Sequence, residues 1–197
     1  MIPLTRRTAI LALAGLIWSP LAAAAPVRYQ LDEAASSVGF RFTLSGLAQK
    51  GSLPVRSAHI TIDPDNLARS AVDVTLDVPG ARTGMIFATQ ALTGPDVLDA
   101  QRFPTIHFQS DTVQLAQDGR LSGGARISGQ LTMRDVTRPM TLTANLFRPP
   151  GTAPDDLRVL TVMLKGRISR SAFGASGYRD LVADEVGLEI TAVIRAT

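Results

Sequence analysis

The stretch Val72-Asp73-Val74-Thr75-Leu76-Asp77-Val78 places an apolar side chain at every second position and a polar one between each pair. Successive side chains of a β-strand point to opposite faces, so this period of two predicts a strand with one apolar and one solvated face. Strands of this kind are typical of an antiparallel sheet that covers a core on one side only.

The same alternation recurs along the chain. The segments are separated by clusters of Pro, Gly, Asn and Asp, which favour turns. The further alternating segments are Val38–Leu44, Ala58–Ile62, Ile106–Phe108, Val113–Leu115, Ile127–Met133, Met140–Leu146, Val162–Leu164 and Val186–Ile194. The turn segments are Asp63–Asn66, Gln117–Gly119, Arg134–Pro139, which is short enough for a hairpin, and Arg148–Asp156.

Eight or more antiparallel strands with one apolar face close most easily into a barrel, because closure removes the exposed edges. We therefore predict an all-β fold, an antiparallel barrel of about eight strands with short helical segments in its loops. The helical segments are expected between Ala88 and Phe103, on either side of Gly94-Pro95, where the alternation breaks. A barrel of this size either holds one small ligand or is filled by its own side chains, and the pattern leaves both open.

The N-terminal residues have the layout of an export signal. Arg6-Arg7 precedes a short apolar run from Ala9 to Trp18, and an Ala-rich tract ends at Ala25. We predict a signal peptide at residues 1–24 and a single domain at residues 25–197, located in the periplasm or secreted. The arginine pair fits both the twin-arginine and the general secretory route. A retained anchor is the weaker interpretation, because the apolar run is too short to span a bilayer.

Composition narrows the classes of function. The formal charge is +3, and removing residues 1–24 with their two arginines leaves 20 − 2 − 17 = +1. The basic residues are scattered singly, so we predict no nucleic-acid partner. The chain has no Cys and only two His, His59 and His107, each within an alternating strand, so we predict no metal site and no catalytic residues.

Four blocks of sequence follow one another along the chain. The blocks are Tyr29–Asp32 with Ser36–Phe40, Asp96–Asp99 with Phe103–Ser110, Ile127–Pro139, and Gly166–Gly174 followed by Asp184-Glu185-Val186. In this order and spacing they resemble the YceI-like family of periplasmic lipid-binding proteins. The resemblance covers nearly all of residues 25–197. It implies a lipocalin-like antiparallel barrel whose pore holds a long isoprenoid chain, with no catalytic activity and no cofactor besides a non-covalently bound isoprenoid lipid or quinone.

The ligand-binding pore is predicted from the inward parity of the strands, because an isoprenoid tail is bound mainly through the apolar area it removes from water. Its predicted lining is Phe40, Phe42, Leu44, Val74, Leu76, Phe108, Leu131, Met133, Leu142 and Phe173. Each of these residues equally fits an ordinary barrel core without ligand contact.

Contacts to a head group are predicted at Arg167, Arg170 and Ser171, since an Arg fork suits phosphate oxygens. The alternative is that Arg170 pairs with Asp180, Asp184 or Glu185 and fixes a loop. The chain departs from the family at Leu44, where a His is common, and at Gly51-Ser52-Leu53, where Gly-x-Phe is usual. The first departure removes a donor from that end of the pore.

Three classes of function follow from the sequence. The first is a periplasmic carrier or binding protein for an amphiphilic isoprenoid, a polyprenyl phosphate or an isoprenoid quinone, as a monomer or homodimer with transient membrane contact. The second is a structural or interaction module with a filled barrel. The third is an enzyme acting on quinones or polyprenyl lipids, which needs a cluster of polar side chains inside the pore.

Overall fold

The computed structural model describes residues 26–64, 66–115, 123–153 and 155–197, and these residues form one antiparallel sheet of eleven strands with one α-helix. The helix, α1, is Ile86–Thr93, and 3₁₀ turns lie at Glu33–Ala35, Leu67–Arg69 and Ser171–Phe173. The strands are β1 (Val27–Leu31), β2 (Ser37–Leu44), β3 (Leu47–Leu53), β4 (Val55–Ile62), β5 (Ala71–Asp77), β6 (Arg82–Thr83), β7 (Thr105–Leu115), β8 (Ala125–Met133), β9 (Val136–Phe147), β10 (Val159–Ser169) and β11 (Glu185–Ala196).

Eight of these strands close into a barrel, in the order β1-β4-β5-β7-β8-β9-β10-β11, with β11 pairing back to β1. Tyr29 lies opposite Ala196 at this closing seam. Closure pairs the strand edges that an open sheet would expose to other chains. The predicted all-β, lipocalin-like antiparallel barrel of about eight strands is confirmed.

The remaining strands extend one end of the barrel. The last residues of β11 pair with β1, whereas its earlier residues Gly187–Thr191 pair with β2. A 3₁₀ turn separates β1 from β2, so β2 continues the path of β1 along the barrel wall. In the same way β3 and β4, which Pro54 separates, follow one path along the wall. Strand β3 then pairs with the short β6 instead of β5. The barrel therefore opens between β3 and β5 at this end, where α1 follows β6.

The core lies inside the barrel, on the face that the alternation predicts. Leu131, Leu142 and Val162 are buried there, and neighbouring positions such as Arg126 and Thr143 are exposed. The segments around Ile106 and Val113 were predicted as separate strands but form the single strand β7. A register shift between Ser110 and Thr112 moves the inward-facing positions of β7 from even to odd residue numbers. The alternation of inward and outward side chains therefore changes phase within this one strand.

The hairpin predicted at Arg134–Pro139 is confirmed, with a turn of only two residues. Arg134 and Asp135 have φ values of 52° and 59°, and the strand resumes at Val136. Two left-handed residues give the turn the twist that an antiparallel hairpin requires. The predicted helix around Ala88–Leu92 is confirmed as α1, but the segment after Pro95 forms turns and no second helix. The predicted export signal and the Gln117–Gly119 turn lie outside the described residues.

Candidate ligand-binding tunnel

A cavity of about 440 Å³ runs along the inside of the barrel. Strand β11 lines it with five alternate residues from Val186 to Ile194. Eight residue steps span about 27 Å along a strand, which is about 20 Å along the axis at the usual strand tilt of a barrel. The cavity is therefore a long, narrow tunnel, and its shape suits one extended chain better than a compact ring system.

The wall of the tunnel is almost entirely apolar, and the hydroxyl groups of three of its residues already have partners within the protein. Ser36 Oγ accepts a hydrogen bond from the Val193 amide at 2.9 Å. Ser70 Oγ accepts one from the Asp63 amide at 3.0 Å. Thr83 Oγ1 donates to the Met85 carbonyl at 2.8 Å. A bound molecule would therefore contact these parts of the wall mainly through apolar surface.

The end of the tunnel near Ile194 is closed. Leu160, which lies opposite Ile194, is 2% exposed and packs in the core with Tyr29. The Tyr29 hydroxyl donates to the Leu157 carbonyl at 2.9 Å, and burial raises the pKa of this phenol. These side chains fill the barrel at this end, so a ligand must enter from the opposite one.

The opposite end is the mouth of the tunnel, and three segments surround it. The first is the β2–β3 hairpin, whose turn is Ser45-Gly46. The second is α1, which lines the tunnel with Phe87, Ala88, Ala91 and Leu92. The third is the loop of residues 174–184, which lines it with Ala175, Gly177, Tyr178, Leu181 and Val182.

Backbone contacts hold the loop of residues 174–184 against the β2–β3 hairpin. The Ser45 amide donates to the Leu181 carbonyl at 2.7 Å, and the Ala183 amide donates to the Thr43 carbonyl at 3.0 Å. Leu44 forms an isolated bridge with Val182. Leu44 therefore lies in the wall at the mouth. The family that the chain resembles commonly has a His at this position.

Arg170 fixes the same loop from inside the protein. Its guanidinium donates to the carbonyls of Ala175, Gly177, Val182 and Ala183 at 2.6, 2.8, 2.8 and 3.1 Å. The residue is 6% exposed and lines the tunnel. Burial lowers the pKa of this guanidinium, and the nearby Asp184 carboxylate partly offsets that effect. Arg170 thus fixes the loop, as the alternative interpretation held, but through backbone carbonyls instead of a carboxylate.

The other two predicted head-group residues do not line the tunnel. Arg167 is exposed, with Nη1 at 3.5 Å from Glu185 Oε1. Ser171 is also exposed, and its amide donates to Asp184 Oδ1 at 2.9 Å. The hydroxyls of Ser169 and Ser171 and the Ser171 amide hold the pKa of Asp184 down to about 2. Arg167 and Ser171 therefore stabilise the outside of the loop. Of the three predicted head-group residues, Arg170 is the one that lines the tunnel.

Nine of the ten residues predicted for the pore line the tunnel. They are Phe40, Phe42, Leu44, Val74, Leu76, Phe108, Leu131, Met133 and Leu142. Phe173 is 3% exposed and packs in the core, but it is not among the lining residues. It lies in a 3₁₀ turn, where strand parity gives no information about direction.

Sequence reasoning missed the lining residues of the mouth. Phe87, Ala88, Ala91 and Leu92 have the spacing of one helical face, which could have identified them. Tyr178 and Leu181 follow no period, because their loop is irregular and Tyr178 has a φ of 57°. Their direction depends on the contacts of Arg170 and the β2–β3 hairpin.

The histidines lie away from the tunnel. His59 is exposed on β4, and His107 Nε2 lies 3.1 Å from Asp73 Oδ2 on the outer face. Among the described residues, no group of three or more His, Cys, Asp or Glu side chains could hold a metal ion.

The model of the YceI-like domain matches residues 29–194. The chain belongs to the YceI-like family. A UPF0312 protein of Vibrio vulnificus strain YJ016 is 29% identical over 119 residues, 59% of this chain and 61% of its own length. The protein YceI of Escherichia coli strain UMN026 is 28% identical over 122 residues, 60% and 61% of the two chains. The YceI-like chain thus spans about three fifths of the length of these relatives.

Solved structures share the fold. The crystal structure of Burkholderia cenocepacia BcnA has a TM-score of 0.71 at 22% identity, covering 83% of this chain and 99% of that one. A polyisoprenoid binding domain from Saccharophagus degradans has a TM-score of 0.59 at 12% identity, covering 87% and 99%. Within the described part of the YceI-like chain, α1 and the 3₁₀ turns are all too short to cross a membrane.

Proposed function

We propose that this protein is a periplasmic binding or carrier protein for a long-chain isoprenoid lipid, a polyprenyl phosphate or an isoprenoid quinone, held in the barrel tunnel. The observation that carries the proposal is the tunnel itself, which is long, narrow and apolar along its wall. A filled barrel would leave no such space. The structural neighbour from Saccharophagus degradans, described as a polyisoprenoid binding domain, adds support from the shared fold.

The wall favours recognition of the tail. Each 100 Å² of apolar surface removed from water contributes about 2.5 kcal/mol, so a tail that fills the tunnel supplies most of the affinity. The wall hydroxyls of Ser36, Ser70 and Thr83 are already hydrogen-bonded. The head group of the ligand then lies at the mouth, beside Arg170 and Tyr178.

The tunnel can be tested by filling it with a side chain. Ala192 lines the tunnel from β11, so Ala192→Trp should occupy the space of the tail at a cost in stability of about 1–3 kcal/mol. Native mass spectrometry of protein recovered from its own cells should show an added lipid mass for the unmodified chain. That mass should be absent from Ala192→Trp.

Ala71→Trp is the matched control, because Ala71 is exposed on β5 and does not line the tunnel. It should keep the lipid mass. Retention of the same lipid by Ala192→Trp at full occupancy would place the ligand elsewhere and refute the proposal. A measured protein mass equal to that of residues 25–197 would support export with removal of residues 1–24.

A further inference from the structure

The mouth of the tunnel carries a cluster of exposed apolar side chains. Among the described residues, seven large apolar side chains are exposed, and five of them belong to the three segments that surround the mouth. We call these five residues the apolar rim: Leu47, Ile86, Phe87, Tyr178 and Leu181. Ile86 is 81% exposed, Leu47 67% and Phe87 63%. Exposed apolar residues gathered in one place mark a contact surface more often than single scattered ones.

Contacts within the protein bring the rim residues together. Leu47 is paired with Leu44 across the β2–β3 hairpin, and the Leu181 carbonyl accepts from Ser45 in the same hairpin. Phe87, Tyr178 and Leu181 line one tunnel and are exposed at the same time. Through these three residues the apolar lining of the tunnel reaches the outer surface.

The three segments that surround the mouth hold more basic than acidic residues. From Thr43 to Leu53 the one charged residue is Lys50, and from Val78 to Pro95 it is Arg82. The loop of residues 174–184 adds Arg179, Asp180 and Asp184, so the three segments together hold three basic and two acidic residues, a net charge of +1. Arg82 lies on β6, opposite Ser52 of β3, and precedes α1 by a few residues. An apolar surface bordered by Lys and Arg is complementary to an anionic bilayer, where each basic residue contributes about 1 kcal/mol.

We infer that the apolar rim inserts into the surface of an anionic phospholipid bilayer, so that the tunnel mouth opens among the acyl chains. The biological role of this insertion rests on the proposed function, because a lipid could then pass from the bilayer into the tunnel without crossing water. The rim itself supplies the physical basis. Insertion removes Leu47, Ile86 and Phe87 from water, and Lys50 and Arg82 face the lipid head groups.

Vesicle flotation tests the inference. The exported protein should float with vesicles of phosphatidylethanolamine and phosphatidylglycerol, less with phosphatidylcholine alone, and less at high salt. Phe87→Asp and Leu181→Asp should each lower the partition constant at least tenfold. Phe147→Asp is the matched control, since Phe147 is also exposed but lies on the outer face of β9, near the closed end of the barrel. It should float like the unmodified protein.

A fluorescent residue gives a second measurement. The sequence has one Trp, at position 18 within the predicted signal peptide, so the mature chain has none of its own. Phe87→Trp should shift its emission to shorter wavelength on adding the anionic vesicles and be quenched by brominated acyl chains. Phe147→Trp should do neither. Equal flotation of the rim variants and the unmodified protein would overturn the inference.

Two further outcomes separate the alternatives. If sedimentation velocity without vesicles shows a dimer that Phe87→Asp dissociates, the rim is covered by a second copy of the chain and the bilayer inference is wrong. Native mass spectrometry of the same samples distinguishes this inference from the proposed function. Protein that retains lipid but does not float contradicts the inference alone, and protein that floats but never carries tunnel lipid contradicts the proposed function alone.

Discussion

Arg170 determines the shape of the tunnel mouth through a single side chain. Its four hydrogen bonds to carbonyls reach both ends of the loop that carries Tyr178 and Leu181. Lys cannot reproduce this planar fork, so Arg170→Lys should leave buried carbonyls without donors and destabilise the protein by about 2–4 kcal/mol. Urea unfolding measures the change.

Arg167→Lys is the matched control for Arg170→Lys. Arg167 lies three residues earlier on β10, is exposed, and makes an exposed ion pair with Glu185. The same substitution there should change the free energy of unfolding by less than about 0.5 kcal/mol. Equal effects of the two variants would show that the fork of Arg170 is not what holds the loop.

The sequence identified Arg170 as important but not its partners. The sequence block around Arg170 indicates that this residue has a specific role. An Arg side chain can donate hydrogen bonds to phosphate oxygens as well as to backbone carbonyls, so the block does not identify its partners. Four carbonyls converge on it only because the loop folds back from Gly174 to Asp184. Local sequence cannot show such a convergence, whereas strand parity correctly placed Phe40, Leu131 and Leu142 on the wall.

At the scale of elements, the β2–β3 hairpin depends on a close approach between Phe40 and Gly51. The two residues are cross-strand partners, and a Cβ built on Gly51 would lie 2.1 Å from the Phe40 ring. Gly51→Ala should therefore displace this ring and destabilise the protein by about 1–3 kcal/mol. Thermal unfolding should show a lower midpoint.

Gly84→Ala provides the comparison, because a Cβ at Gly84 meets no atom within 4 Å. It should leave the midpoint unchanged or raise it slightly. An unchanged midpoint for Gly51→Ala would mean that the Phe40 ring moves aside without cost.

Strand β3 also marks a limit of sequence reasoning at this scale. Its residues Leu47–Leu53 lack a clear period of two, so β3 was not predicted, although the turn Ser45-Gly46 before it favours a hairpin. The strand is specified by its pairing with β2, where Phe40 supplies the apolar cover that Gly51 lacks. Tertiary contact here overrides weak local preference.

At the scale of the whole molecule, the closed barrel and its open tunnel link stability to ligand. A ligand at 100 times its Kd stabilises the folded state by about 2.7 kcal/mol, which for a chain of this size raises Tm by about 5–10 °C. Extraction of the lipid should lower Tm by that amount, and differential scanning calorimetry measures it. Ala192→Trp should show no change on the same treatment, whereas an equal drop in both proteins would trace the loss to the extraction itself.

The sequence predicted the barrel but left open whether it is filled. Strand number and parity follow from local patterns, which is why the all-β class and the inward face were predictable. The free volume of about 440 Å³ depends on how side chains from all strands meet across the axis. That quantity is a property of the assembled barrel and has no local signature.

The seam between β1 and β11 has a consequence for how the protein folds. It joins distant parts of the chain, and the Thr197 hydroxyl donates to the Arg28 carbonyl across 169 residues of sequence. Pairings of such long range form slowly, because the chain must first lose the entropy of closing a large loop. The tunnel has a complete wall only once this seam has formed. A lipid therefore cannot guide the early steps of folding, and its binding should slow unfolding without accelerating refolding.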